Sequence, residues 1–251
     1  MNFNEKITFV FYHANLVEMK INIHILLFTL LVSPFCFGQA NNKVEAGIDV
    51  GSAFKGSAFA PSVLYHEDIS LGRLSWLRAG LGIRAWGYYG DQTNLKSQAD
   101  AGAANELQYR NVSVNGLSFV AGVSIKVWRV DVGVNTDLIG AAIGSKRKAF
   151  YPGNTGSAGE VSPYHDKWVP TRPVIFNALP LFLNNYSGQS EVYARLLLSR
   201  KIGVKVGYQF GQLAYITKNS GGKQTLLDGN ERRFSTRYQM PYVAISFPIN
   251  Q

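Results

Sequence analysis

One cysteine stands among the 251 residues, Cys36, and it lies where a leader would be cut away. A chain trimmed there keeps no thiol, which excludes disulfides, thiol catalysis and cysteine-based metal sites together. Histidine is nearly as scarce, with only His66 and His165 beyond that point. Charge is sparse as well: Asp, Glu, Lys and Arg make up 16% of the chain, against about a quarter in an ordinary soluble domain. A surface wholly in contact with water carries more charge than this, so part of the surface is expected to face something else. Long apolar runs are also missing. Nothing after residue 40 has the roughly 20 apolar residues of a membrane-crossing helix, and helical periodicity is rare. No glycine-rich phosphate loop is present, since Gly80 and Gly82 fall inside a strand-like pattern. No metal site, cofactor or catalytic residue is assigned.

The beginning of the chain reads as a targeting segment. Met19 and Lys20 precede an apolar stretch, Ile25-Leu26-Leu27-Phe28-Thr29-Leu30-Leu31-Val32, and then Cys36-Phe37-Gly38-Gln39. A positive start, a short apolar core and a small residue at the cut describe a signal peptide. The reading is therefore 1–18 as an upstream extension, 19–38 as the signal, and 39–251 as one domain. Bulky Phe35 and Phe37 beside Cys36 argue against lipidation. The leader is electrically balanced (Lys6 and Lys20 against Glu5 and Glu18), so the formal +9 belongs to the rest. An exported chain meets no nucleic acid, so this excess is not a nucleic-acid signature.

Period-2 alternation dominates the remainder. Eight segments are read as strands: 43–54, 58–71, 73–90, 112–127, 129–145, 190–200, 201–217 and 234–248, the second and eighth alternating poorly. In the first, Val44, Ala46, Ile48 and Val50 oppose Glu45, Gly47, Asp49 and Gly51. In the fourth, Leu117, Phe119, Ala121, Val123 and Ile125 oppose Gly116, Ser118, Gly122, Ser124 and Lys126. A water-facing side would carry long Lys and Glu side chains throughout. The polar side is instead rich in glycine, with few charges of mixed sign, which suits a narrow lumen filled by side chains. The apolar side is then expected to face lipid. The fold class that follows is all-β: an eight-stranded antiparallel up-and-down transmembrane β-barrel.

The connections point the same way. Links near Gly72, at Trp128-Arg129 and at Arg200-Lys201 are very short, whereas 91–111, 146–189 and 218–233 on the other side are long, with only the first hairpin there, around Lys55-Gly56-Ser57, being tight. Short turns at one end and long loops at the other is the outer-membrane arrangement. Trp86, Tyr88 and Tyr89 near one end, and Trp76 and Trp128 near the other, are expected to form two interfacial girdles. Pro241 is expected to bulge or begin the last strand, and Glu67 falls on the apolar face.

The whole of 39–251 resembles the small eight-stranded outer-membrane barrels of the OmpA transmembrane-domain and OmpX type. Its closing stretch Tyr242-Val243-Ala244-Ile245-Ser246-Phe247 is similar to the aromatic-ending last strand that barrel-assembly machinery recognises, although Pro248-Ile249-Asn250-Gln251 follow. Asn184-Asn185-Tyr186-Ser187-Gly188-Gln189-Ser190-Glu191-Val192-Tyr193-Ala194-Arg195 is similar to a stretch in uncharacterised outer-membrane barrels. The resemblance implies a fold and a location, the bacterial outer membrane, with its lipid and lipopolysaccharide and the assembly machinery as partners. It implies no activity.

The polar faces carry Glu45, Asp49, Asp131, Asp137 and Glu191 against Arg78, Arg84, Lys126, Arg195 and Lys205. Charges shut inside a barrel of this size must pair, because an unpaired buried ion costs several kcal/mol. They are expected to close the lumen with salt bridges. The alternative is a narrow channel or transporter that uses the same residues. A lipid-modifying enzyme is a further alternative, since His66, Asp68 and Ser70 share a face. Residues i and i+4 on a strand lie about 13 Å apart, however, which is too far for a Ser–His pair. His165-Asp166 reads as solvated. The long segment 146–189, with five prolines and a basic excess, is expected to order as a cap or ligand-facing surface. Contact with lipopolysaccharide phosphates would suit its charge. The sequence thus leads to an outer-membrane barrel with a structural or loop-mediated binding role and no identified extracellular ligand.

Overall fold

The structure is a computed structural model that describes residues 44–72, 74–97, 105–153, 162–180, 182–219 and 225–250. The expected leader 19–38 and extension 1–18 lie outside the described residues. No helix among the described residues is long and apolar enough to cross a membrane.

Eleven strands account for most of the chain: β1 (Val44–Lys55), β2 (Ala58–Leu71), β3 (Leu74–Lys96), β4 (Glu106–Val127), β5 (Val130–Gly144), β6 (Arg147–Tyr151), β7 (Lys167–Pro173), β8 (Phe176–Ala178), β9 (Gly188–Leu197), β10 (Gly203–Thr217) and β11 (Arg233–Asn250). Antiparallel ladders join β1–β2, β2–β3, β3–β4, β4–β5, β5–β9, β9–β10 and β10–β11. The pairing of β1 with β11 then closes a ring of eight strands. The first residue of β1 and the last of β11 lie at the same end of this ring. So do the tight links at Gly72, Trp128-Arg129 and 198–202, and this is called the turn end below.

At the opposite, loop end the architecture changes. β3 and β4 run on past the ring and stay paired from Asp91↔Asn111 to Lys96↔Glu106. The hairpin of β6 and β7 joins them, pairing with β4 at Gln108↔Phe150 and with β10 at Tyr215↔Pro173. One β11–β3 pair, Ser235↔Lys96, completes a second, six-strand tier. The connection expected over 91–111 is therefore mostly strand. Asp91, Asn94 and Gln108 obscure the pattern there because they are polar and exposed.

The alternation holds through the ring. Asp49, Arg84, Ser118, Asp137, Glu191, Lys205 and Ser246 are buried on its inner side. Val50, Val63, Leu81, Phe119, Val134, Val192, Val206 and Ile245, one from each ring strand, are exposed on its outer side. Glu67 stays on that outer side, exposed, where its carboxylate accepts a hydrogen bond from the Tyr65 hydroxyl. Pro241 neither bulges nor begins β11. It pairs in register with Tyr208, one residue beyond the end of the β1 ladder at Tyr242, a position where a missing N–H disturbs the ladder least.

Two of the expected girdle aromatics are inside instead. Trp86 and Tyr88 are buried, while Trp76 and Trp128 are exposed at the turn end. Parity explains it, because Arg84, Trp86 and Tyr88 alternate in phase and all point inward. The inner glycines have a matching purpose. Trp86, Tyr193 and Tyr238 lie directly across the ladder from Gly116, Gly133 and Gly211. A methyl group added to Gly116 would fall 2.3 Å from the Trp86 ring, and one on Gly211 would fall 2.1 Å from that of Tyr238. Each ring occupies the space its neighbour lacks. Gly116→Val is therefore expected to lower stability by about 1–3 kcal/mol through overpacking. The readout is the urea midpoint of the refolded protein, with a change in Trp86 fluorescence accompanying it.

Candidate functional site

Strand parity delivers the charges named from the sequence to the inner side of the ring, in two groups. Nearest the turn end, Arg78 grips Glu45 with both arms of its guanidinium, at 2.6 and 2.8 Å. Lys126 donates to the same two oxygens at 3.1 and 2.8 Å. Three strands, β1, β3 and β4, are tied together at this point.

Deeper inside, seven further charges form a chain that alternates in sign at every step. Asp131 lies 3.6 Å from Arg195, which donates to Asp49 at 3.0 Å. Asp49 also accepts from Lys205 at 2.9 Å and from the Ser246 hydroxyl. Lys205 donates to Glu191 at 2.8 Å. Glu191 lies 3.2 Å from Arg84, and Arg84 donates to Asp137 at 3.0 Å. Asn135 bridges the last group, accepting from Arg84 and donating to Glu191 at 3.2 Å. The backbone N–H of Gln189 donates to the second Asp137 oxygen at 2.9 Å. Lys205 also lies over the Tyr193 ring, 4.1 Å from its centre, a favourable place for an ammonium group. Asp49, Arg84, Asp137, Glu191 and Lys205 have no solvent-exposed side-chain surface.

Two members of this assembly were not assigned to it from the sequence. His66 Nε2 lies 3.0 Å from an Arg195 nitrogen that can only donate, so Nε2 accepts and the ring proton sits on Nδ1. That proton is donated to Asp68 at 2.9 Å. The signal was present in the alternation His66, Asp68, Ser70, which puts these groups on the inner face. What it could not reveal was Arg195, 129 residues away. Beneath them Asp49, His66, Asp68, Asp131, Arg195 and Ser246 line a hollow of about 20 Å³, room for roughly one water molecule and no solute.

At the loop end the interior is apolar. Each strand of the six-strand tier contributes to it: Leu95 from β3, Leu107 and Tyr109 from β4, Ala149 and Tyr151 from β6, Val169 from β7, Leu213 and Tyr215 from β10, and Phe234 from β11. Polar groups within this plug are satisfied locally, as in Tyr109 donating to Thr171 at 3.0 Å and Tyr215 to the Ser113 carbonyl at 3.2 Å. Part of the segment expected to cap the opening, 146–189, is thus wall and plug.

Above the plug Asp228 holds the connections together. It accepts from Tyr151 at 2.7 Å and from the Ser162 backbone at 2.7 Å, and it pairs with His165 at 2.6 Å. His165 was read as solvated beside Asp166. It is drawn instead to a carboxylate 63 residues away, a contact with no local signal.

Neither a family model nor a curated protein matches this chain. The inner groups form two clusters of ion pairs and hydrogen bonds followed by a mainly apolar plug, an arrangement suited to holding strands together.

Two outcomes are expected. Arg84→Met leaves Asp137 and Glu191 facing each other without their shared cation, and breaking a buried pair from one side costs about 3–5 kcal/mol. Adding Asp137→Asn to that variant should recover part of the loss, read as urea midpoints. The second outcome concerns Tyr151. Burial, together with the adjacent Asp228 carboxylate, raises its pKa. The stabilisation is complete below the ordinary tyrosine value of about 10 and is lost as pH rises from there towards the raised value. The stability advantage of the natural protein over Tyr151→Phe should therefore shrink between about pH 9 and pH 11. An advantage constant across that range would count against the Asp228 anchorage.

Proposed function

We propose that this chain is an outer-membrane protein of the bacterial envelope, an eight-stranded transmembrane β-barrel whose interior is shut and whose role is structural or exercised by its loop-end surface. The observation that carries this reading is its inside-out side-chain distribution. Exposed Val, Leu, Ile and Phe surround the ring on all eight strands, while its salt bridges are inside. A protein in water does not keep a continuous apolar surface of that extent, whereas a protein in lipid requires one.

Dimensions support the same conclusion. The outward apolar positions run from Leu117 to Val127 on β4 and from Ile202, just before β10, to Phe210 on it, close to the 9–11 residues a tilted strand needs to cross hydrocarbon. Closure of the ring satisfies the backbone groups that lipid cannot. Apart from the two-residue turn at Gly56-Ser57, the long links lie at the loop end and the short ones at the turn end, which agrees with an orientation in which the turn end faces the periplasm. The resemblance of residues 39–251 to the OmpA transmembrane-domain and OmpX type, and the signal-like segment 19–38, fit export and insertion by barrel-assembly machinery.

The interior favours closure over conduction. A solute would have to pass the alternating charge chain and then a packed, mainly apolar plug. In a refolded preparation the unboiled protein should migrate faster on a gel than the boiled one. Recovery of the leaderless chain as a freely dissolved monomer without detergent would overturn the membrane reading. In planar bilayers the refolded protein should give no steady conductance. Steps that vanish or change size in Arg84→Met would instead support a channel.

A further inference from the structure

The inner charges are all matched, but a group of outer ones is not. Arg110 on β4, Lys148 on β6, Arg172 on β7, Lys218 just after β10 and Arg233 on β11 lie on the water-accessible side of the six-strand tier. None of them makes an ion pair with a carboxylate among the described residues. Glu231, the acid nearest Arg233 in the chain, lies within hydrogen-bonding distance of Asn105, 3.3 Å away.

Their spacing is fixed by the sheet. Arg172 pairs across the ladder with Ile216, and Ile216 with Arg233, so the two guanidinium groups stand on strands two apart, about 10 Å by strand spacing. Lys148 pairs with Pro170, whose carbonyl accepts from the Lys218 backbone. The patch is also continuous with the apolar belt. Arg233 lies over Tyr186, 5.7 Å from its centre, and Tyr186 meets exposed Phe176 edge-on at 5.6 Å. Arg110 lies over Trp168 at 5.4 Å, and Trp168 packs against Phe150. The first stack thus leads from a ring beside the ring strands, Phe176 opposite Ala141, up to a base, Arg233, the order met when moving from hydrocarbon through the headgroup layer, whereas Arg110 stands one step below the Trp168–Phe150 pair.

We infer that this face is a docking surface for the phosphate groups of the phosphorylated glycolipid of the outer leaflet, which the two arginines and Lys148 would clasp from the side. The inference rests on the membrane reading above and gives its loop-end surface a ligand. Planar guanidinium groups and phosphate oxygens form paired, charge-assisted hydrogen bonds. Five cations without carboxylate partners among the described residues present an attractive field to such anions. Anionic phospholipid offers similar charge, but here the bases stand on strands that rise beyond the apolar belt, a height that suits a tall sugar-phosphate headgroup.

The test uses the refolded full chain in detergent micelles with diphosphorylated lipid A as probe. Dephosphorylated lipid A and phosphatidylglycerol form the comparison arms. Retained diphosphorylated lipid A per protein should fall roughly tenfold in the triple variant Lys148→Gln, Arg172→Gln, Arg233→Gln. Replacing the same arginines by lysine should preserve much of it. Heat-shifted gel mobility, measured in parallel, reports the barrel separately, so loss of that shift in the natural chain would indict the membrane reading and not the docking surface. Should the triple variant not fold, the natural protein still decides, because raising salt should weaken retention. Equal retention of dephosphorylated lipid A, equal retention of phosphatidylglycerol, or an unaffected triple variant would each overturn the inference.

Discussion

Hydrogen bonds between Ala46–Ala53 of β1 and Tyr242–Asn250 of β11 join the first ring strand to the last, and the rest of the molecule follows from that closure. A sheet with free edges would leave a row of unpaired N–H and C=O groups on each side, a liability in water and prohibitive in lipid. Closing it at eight strands also sets the radius, leaving an interior about wide enough for side chains and no water column. Every inner position is then a packing decision. Long cations must interlock with carboxylates on facing strands, and several large rings lie over a glycine across the ladder, as Trp86 does over Gly116.

Buried ion pairs contribute little net stability compared with a well-packed apolar filling, so their number here asks for another explanation. Register supplies one. A slip by a single residue turns every side chain of a strand to the opposite face. Strands whose inner residues are mostly glycine and serine resist such a slip weakly. Asp49 on β1 meets Arg195 on β9, Lys205 on β10 and Ser246 on β11, and Arg84 on β3 meets Asp137 on β5 and Glu191 on β9. Any one-residue shift would carry a charge outward and leave its partners uncompensated. The alternating chain is best understood as a device that makes the wrong registers costly.

The ring strands could be recognised from sequence because alternation is a local property. The polar faces carrying Glu45, Asp49, Arg78 and Arg84 showed themselves in strands one and three without any knowledge of partners. Where the reading failed, the information was not local. Trp86 and Tyr88 shared the phase of Arg84 and could have been placed inside by parity, but their position near a strand end favoured an interfacial girdle. The hairpin of β6 and β7 gave no comparable signal. Its proline-bearing strand becomes wall only because β10 is there to pair with it, 42 residues further on at Pro173↔Tyr215. The Asp228–His165 contact is equally unreadable, joining two connections that are featureless in isolation.

The change from eight strands to six explains why the two ends of the interior are made of different material. In the wide ring, strands on opposite sides are far enough apart for arginine and lysine to reach a carboxylate across the gap. In the narrower tier that reach is unnecessary, and medium-sized apolar groups such as Leu95, Leu107, Val169 and Leu213 fill the space directly. The plug in turn gives the tier a core of its own, so its outer face rides on hydrogen-bonded strands and not on free loops. Asp228 extends that rigidity upward by fastening Tyr151, Ser162 and His165 to one carboxylate. A surface held this way loses little freedom when something binds to it. On the proposed reading of a closed barrel, recognition falls to the outer surface, and the loop end is where the fold has put its order.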